Sequence, residues 1–273
     1  MANDNSAPKE WKTMEAFKDD ASHNLKEPVR DFAGRQLRFT FDEACGEAQL
    51  IEKVSPVEID LNINDSDSVY TRGENTCKAS ITTFKSQEGL YYISVEILDS
   101  ENEDVNIILN TNTNRAVAVP ATARPMPVEG ECRVVQRFLI GGLSGKVWTD
   151  FKPERTRELI GTRLYINYSP NMYYEHIYLN SERICWHNLR GEQFGHSACE
   201  PCDYFKMDEN VYLMSWRELF IPCGAAYLLN FNNKIAMGKF IGWDQDGKIS
   251  HSFSGGSIHI LSQISYPKEC EPK

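Results

Sequence analysis

The groups best suited to chemistry in this chain are two carboxylates and an arginine set among apolar neighbours. Glu96 sits in YYISVEILDS, an otherwise apolar, strand-like run. If Val95 and Ile97 face one side of that strand, Glu96 faces the other with Ser94 and Tyr92, and one of those faces must line an interior. A carboxylate buried there would hold its proton more tightly and suit the work of a general base. The alternative is an edge-strand carboxylate facing water. Arg72, in VYTRGEN, has the planar fork that grips a carboxylate bidentately, and beside Gly73 it equally fits a solvated loop. Glu218, next to Arg217 and ahead of Pro222, is either an acid–base group or a structural carboxylate satisfying a turn. Tyr174-Glu175-His176 gathers ionisable side chains, but alternation along a strand would split Glu175 from its neighbours.

The cysteines carry a weaker signal. Cys185-x-His187 followed by His196-x-x-Cys199-x-x-Cys202 has zinc-like ligand types. A second CxxC or a regular histidine pair is missing, so reduced, half-buried thiols are the expectation, with no metal and no cofactor. The eight cysteines are spread along the whole chain, unlike a dense secreted disulfide scaffold. Trp186 and Trp216 read first as core residues. Ser254 to Ser257 (SGGS) lacks the lysine and the strand–loop–helix setting of a phosphate loop.

The elements that must position these groups occur twice. KEPVRDFAGRQLRFTF around Gly34 matches KPERTRELIGTRLYINY around Gly161, with Leu37 and Leu164, Phe39 and Ile166, and Phe41 and Tyr168 in register. GLYYISVEI near Ile93 matches NVYLMSWRE near Met214, and VNIILNTNTNRAVAV matches AAYLLNFNNKIAMGK. Ordered matches at nearly constant offset imply two copies of one domain, each with its own core. A chain of 273 residues with 41% hydrophobic and 25% charged residues accommodates two globular units. A net charge of −10 argues against nucleic-acid and anionic-membrane surfaces. No apolar run approaches the roughly 20 residues that span a bilayer. The polar, acidic start lacks the apolar stretch of an export signal, so a cytoplasmic location is expected.

Each copy is expected to open with a short helix, Leu25 to Ala33 and Lys152 to Ile160, ended by Gly34 or Gly161 in the left-handed cap position. Strand-length alternation follows in both, separated by turn signals such as SQEG, NFNN, DQDG and SFSGG. The implied fold is mainly β: two tandem antiparallel barrels from an internal duplication, each preceded by a short helix. Residues 1–22 are expected as a polar leader, 23–146 as the first barrel and 147–268 as the second.

GTRLYINY, YYEHIYLN, CWHNLRGEQFG, YLMSWREL and a late Gly-Gly strand give the chain a resemblance to the MoaF family. That resemblance covers most of residues 25 to 265 and implies two lipocalin-like (calycin) barrels. The YxY…YE…SWxE pattern is also similar to single-barrel phenolic acid decarboxylases. There two tyrosines on the first strand hold the substrate carboxylate, with an arginine and a glutamate at the phenol end. By that similarity Glu218 matches the glutamate and Tyr168 one tyrosine. Ile166 replaces the other, and Phe39 and Phe41 replace both in the first copy. The arginine has His196 as its nearest counterpart.

The MoaF-like group further resembles microbial Pictet–Spengler enzymes, which join an amine to an aldehyde. That resemblance places the base at Glu96 and the carboxylate anchor at Arg72, and implies a homodimer. The expectation is therefore a cofactor-free enzyme of condensation and cyclisation on an aromatic or amine-plus-carbonyl substrate. Glu96 and Glu218 would be catalytic, with Arg72, Tyr92, Tyr168, His196 and Trp216 binding substrate. Non-catalytic ligand carriage and lyase chemistry remain as alternatives.

Overall fold

A computed structural model describes residues 14–65 and 67–273, with the side chains of residues 14–16 set aside. The first thirteen residues of the expected leader lie outside the described residues. The remainder of it forms helix α1 (Met14–Ser22), which buries Ala21 instead of standing off in water.

Nine strands follow in one sheet: β1 (Arg35–Cys45), β2 (Glu52–Ile63), β3 (Ser68–Arg72), β4 (Asn75–Gln87), β5 (Leu90–Ile97), β6 (Glu103–Asn110), β7 (Arg115–Ala123), β8 (Val134–Gln136) and β9 (Phe138–Leu143). A second sheet holds β10 (Glu154–Arg155), β11 (Thr162–Ser169), β12 (Met172–Asn180), β13 (Arg183–Arg190), β14 (Ser197–Asp208), β15 (Val211–Arg217), β16 (Cys223–Asn230), β17 (Ile235–Trp243) and β18 (Ile249–Gln263). Eight strands of each sheet close on themselves, through β6–β7 in the first and β14–β15 in the second, with β8 and β10 as appended edges. Two closed antiparallel barrels result, so neither leaves a long free edge. No helix among the described residues is long and apolar enough to cross a membrane.

The duplication extends to hydrogen-bond register. In the first barrel Ile93 pairs with Ile107 and Val95 with Val105; in the second Met214 pairs with Tyr227 and Trp216 with Ala225. Asn114 and Lys234, matched in the repeat, both take a left-handed backbone near φ +56°.

The expected helices over Leu25 to Ala33 and Lys152 to Ile160 do not form. Pro28 disfavours helical geometry in the residue before it, and the segment ends as a turn over residues 31–34. In the second copy Glu154 and Arg155 pair with β14, and a turn leads into Gly161. The glycines do adopt the left-handed conformation, at φ +72° and +84°, but they end turns. SFSGG, expected as a turn, lies inside β18, where a Cβ at Gly256 would collide with the Asn167 carbonyl.

Among the described residues three large apolar clusters and a small one around Ala123, Val134 and Ile241 hold the molecule together. One fills the first barrel around Phe39, Phe41, Ile59, Leu61 and Val95. A second lines the other barrel around Ile166, Tyr168, Trp216 and Tyr227. The third is a seam of outward-facing residues from both sheets, including Tyr92, Phe138, Phe205 and Met237. Phe138 and Phe205 meet there with ring centroids 4.8 Å apart. Polar staples cross the same seam: Gln136 Nε2 donates to the Ala225 carbonyl at 3.0 Å, and the Ala48 N–H donates to Asp203 at 2.8 Å.

Candidate functional site: a cavity in the second barrel

A cavity of about 390 Å³ opens at one end of the second barrel. That is the end at which β11, β13, β15 and β17 finish and β12, β14, β16 and β18 begin, as their antiparallel pairing requires. Period-two alternation selects the lining. From β12 come Met172, Tyr174 and His176; from β13 Ile184 and Trp186; from β15 Trp216, with Glu218 just beyond it; from β17 Phe240; and from β18 Ser250, Ser252 and Ser254. Phe17 and Ala21 of α1 reach across the mouth from the N-terminal side. The helix is held there by the Ser169 hydroxyl, which donates to Asp20 at 2.9 Å, and by Asn24 Nδ2, which donates to Asn167 Oδ1 at 3.0 Å.

The floor is a mesh of rings. Trp216 meets Tyr227 at 4.9 Å, Phe240 at 5.3 Å and His176 at 5.9 Å, and Tyr174 meets Trp186 at 5.8 Å. Edge-to-face contacts of this kind fix ring orientation as well as excluding water. The Tyr174 hydroxyl donates to Gln193 at 2.8 Å, tying the strand to the loop at the rim.

Several buried polar groups facing this space have no protein partner: His176 Nδ1, Trp186 Nε1, Ser250 Oγ and Glu218 Oε2. The other Glu218 oxygen accepts a hydrogen bond from Trp216 Nε1 at 3.2 Å, and Trp186 lies close enough to favour the same carboxylate without a formed bond. Buried polar atoms without a protein partner are costly unless something else satisfies them, and here four of them surround one cavity.

The electrostatics follow from burial. Glu218 is pushed up to about 8, first by loss of water and then by the neighbouring Glu200 carboxylate, itself raised by burial. His176 is pushed down to about 4 by burial and stays neutral. Burial, with Glu218 second, raises the Tyr174 hydroxyl and the Cys223 thiol, so both remain protonated at neutral pH. Glu218 is thus a buried group that changes charge near neutrality, which is what proton transfer asks of a side chain.

The expected site residues separate into two sets. Tyr168, Trp216 and Glu218 all line this cavity. Glu96 does not face a barrel interior: Val95 and Ile97 take the inside of β5, and the Glu96 carboxylate turns to the seam, 3.2 Å from Lys239. Arg72 pairs with Ile59 on the inner face of the same barrel, beside Tyr70. Glu96 and Arg72 therefore lie on opposite sides of one sheet wall and cannot grip one substrate. Tyr92 belongs to the seam, its hydroxyl within reach of Asn106 Oδ1 at 2.8 Å and the Ala226 carbonyl at 3.0 Å. His196 contributes its backbone to the rim loop, its N–H donating to the Gln193 carbonyl at 2.8 Å, and its side chain is outside the lining.

The cysteine–histidine pattern falls on two paired strands. Cys185 lies directly opposite Cys199, whereas Cys202, an odd number of residues further along β14, turns inward to Tyr204. A CxxC in an extended strand points its thiols to opposite faces. Among the described residues no group of three or more His, Cys, Asp and Glu side chains is placed to hold a metal ion.

Residues missed at the sequence level include His176, Trp186, Phe240 and the serines of β18. His176 shares parity with Met172 and Tyr174 along β12, and that signal was available. Phe17 and Ala21 left none, because α1 precedes the other barrel in the chain.

Known proteins bear on this arrangement. Residues 153–264 match the family model of the MoaF C-terminal domain, and residues 9–124 match that of the MoaF N-terminal domain. Protein MoaF of Klebsiella aerogenes is 30% identical over 185 residues, spanning 62% of this chain and 69% of that one. A crystal structure described as a putative beta-lactamase from Burkholderia vietnamiensis aligns with 40% of this chain and 100% of its own, at 12% identity and a TM-score of 0.34. A likeness that low carries no argument.

Proposed function

The chain belongs to the MoaF family, and on that footing we propose that its second barrel binds a small aromatic molecule and that Glu218 exchanges a proton with it. The observation that carries this reading is the buried Glu218 carboxyl, one oxygen unpartnered and aimed into an aromatic cavity, with its affinity for a proton raised to about 8. Below that pH it is an acid that donates to a developing anion. Above it, the poorly solvated carboxylate is a strong base in a water-poor site. Trp186, Trp216 and Tyr174 present ring faces and edges that orient a flat ligand. If the chemistry is condensation and cyclisation, the base that removes the ring proton is Glu218, since Glu96 is turned away from every ligand-sized space described above.

The test uses 5-nitrobenzisoxazole, a neutral aromatic that ring-opens when one carbon-bound proton is abstracted. The proton passes to the Glu218 carboxylate, the N–O bond breaks, and a coloured cyanonitrophenolate is released. Wild-type protein should accelerate this step with an apparent pKa near 8, and Glu218→Gln should return it to the buffer rate. Equal rates for the two proteins would remove Glu218 from the role. A second reading, carriage without conversion, is favoured by the three unpartnered groups besides Glu218, which would fix a passive ligand equally well. It predicts binding of the probe, seen as tryptophan quenching, with no turnover.

A further inference from the structure

From the charges around the cavity we infer that its ligand is an organic cation, an ammonium carried on an apolar or aromatic body, and that it enters in exchange for the proton of Glu218. This rests on the second-barrel cavity being the binding site and names the class of molecule it takes.

Three observations carry it. First, among the described residues no lysine or arginine lines the cavity, whereas Glu192, Glu218 and Asp244 do. An anion entering here would meet three carboxyl groups and only neutral donors, such as the Trp186 indole, the Gln193 amide and the serine hydroxyls. Secondly, cations on these strands are drawn to the outer face. Arg217, between two cavity residues, turns outward to Asp203 at 2.5 Å, and Lys239, beside Phe240, turns outward to Glu96 and Asp104. The sequence Trp216-Arg217-Glu218 thus places its carboxylate inside and its guanidinium outside. Thirdly, the rings of Trp186, Trp216, Tyr174 and Phe240 line the same cavity as the Glu218 carboxyl. Aromatic faces with a buried acid and no competing cation form the environment that stabilises a poorly hydrated ammonium.

The groups facing Glu218 give the binding its pH dependence. Glu200 on β14 is a like charge, while Tyr174 on β12, His176 on β12 and Cys223 on β16 are all held neutral by burial. In the empty cavity the Glu218 proton is retained first because burial disfavours the charged form and then because Glu200 lies nearby. A ligand cation reverses that balance, the carboxyl ionises, and the proton leaves to solvent. Affinity should therefore rise by about tenfold per pH unit below 8, because each unit makes the displaced proton tenfold cheaper to release.

Three soluble probes of similar size separate the possibilities: benzyltrimethylammonium, which is permanently charged, benzyl alcohol, and phenylacetate. Binding is read from tryptophan fluorescence and by calorimetry in two buffers of different ionisation heat, which counts protons released. The cation should bind at least about tenfold more tightly than the alcohol at pH 7.5, with nearly one proton released per cation at pH 7. Glu218→Gln should abolish proton release and erase the cation preference. The inference is overturned, with the cavity reading intact, if cation and alcohol bind alike, if phenylacetate binds best, or if Glu218→Gln leaves the preference unchanged. If none of the three binds, both fall together.

Discussion

The two barrels share strand order, register and turn geometry, yet one is filled and the other is hollow at one end. The difference lies in a few inward positions. Where the first barrel has Phe41, Val95, Ile97 and Ile107, the second has Tyr168, Trp216, Glu218 and Tyr227 at the matching places of the repeat. Fully buried aliphatic and phenyl groups interdigitate to crystal-like density and leave no polar atom to satisfy. Rings with polar tips and a carboxyl pack around space, because their polar ends need partners that a solid core would not supply. The first copy carries a hydrophobic cluster across its interior, and the second leaves a cavity at one end.

The contrast can be broken most severely from the filled side. Phe41→Ala, at a site with 0% exposure and a stacked neighbour in Phe39, should cost about 3–5 kcal/mol of unfolding free energy in denaturant titration. A much smaller loss would mean that the first interior is looser than described.

The hollow side should show itself through pH. The folded Glu218 pKa of about 8 lies above the reference 4.5, so the native state binds more protons in between, and stability falls as pH rises through that window. Between pH 5 and pH 8 the loss is on the order of 3–4 kcal/mol from this group, and Glu218→Gln should flatten that limb. His176 works in the opposite direction: its folded pKa near 4 lies below 6.5, so stability falls on acidification from about pH 6.5 to 4. The expected change is about 2–3 kcal/mol, removed in His176→Phe.

Smaller effects sharpen the contrast. Trp186→Phe removes an indole N–H that has no partner, and should change stability by no more than about 1 kcal/mol while weakening ligand binding. Glu96→Gln should change stability by less than about 1 kcal/mol, since the carboxylate is partly exposed and Lys239 retains Asp104. It should leave 5-nitrobenzisoxazole turnover unchanged. A large drop in turnover would restore the first-barrel site.

Much of this fold was legible because duplication multiplies weak signals: alternation at Phe39 and Phe41 alone is ambiguous, but repeated at Ile166 and Tyr168 it is a strand. β14 was not legible. Its residues Ser197–Asp208 mix Pro201, cysteines and charges, because one face meets solvent or the seam while the other carries Glu200 and Cys202 inward. The site was half legible. Parity along β5 offered two faces for Glu96, and nothing in the chain said that both sides of that strand are covered, one by the first core and one by the neighbouring barrel. The same parity, applied to Trp216 and Glu218, put both on one face.

Helix α1 adds a consequence for biosynthesis. It precedes every strand among the described residues, yet it rests at the cavity of the second barrel. The chain of the second barrel must therefore be made before Phe17 and Ala21 find their seat against β11 and β18. Deleting that helix should leave the early half untouched while enlarging the late one's entrance, so the opening segment acts as a distant part of the closing one.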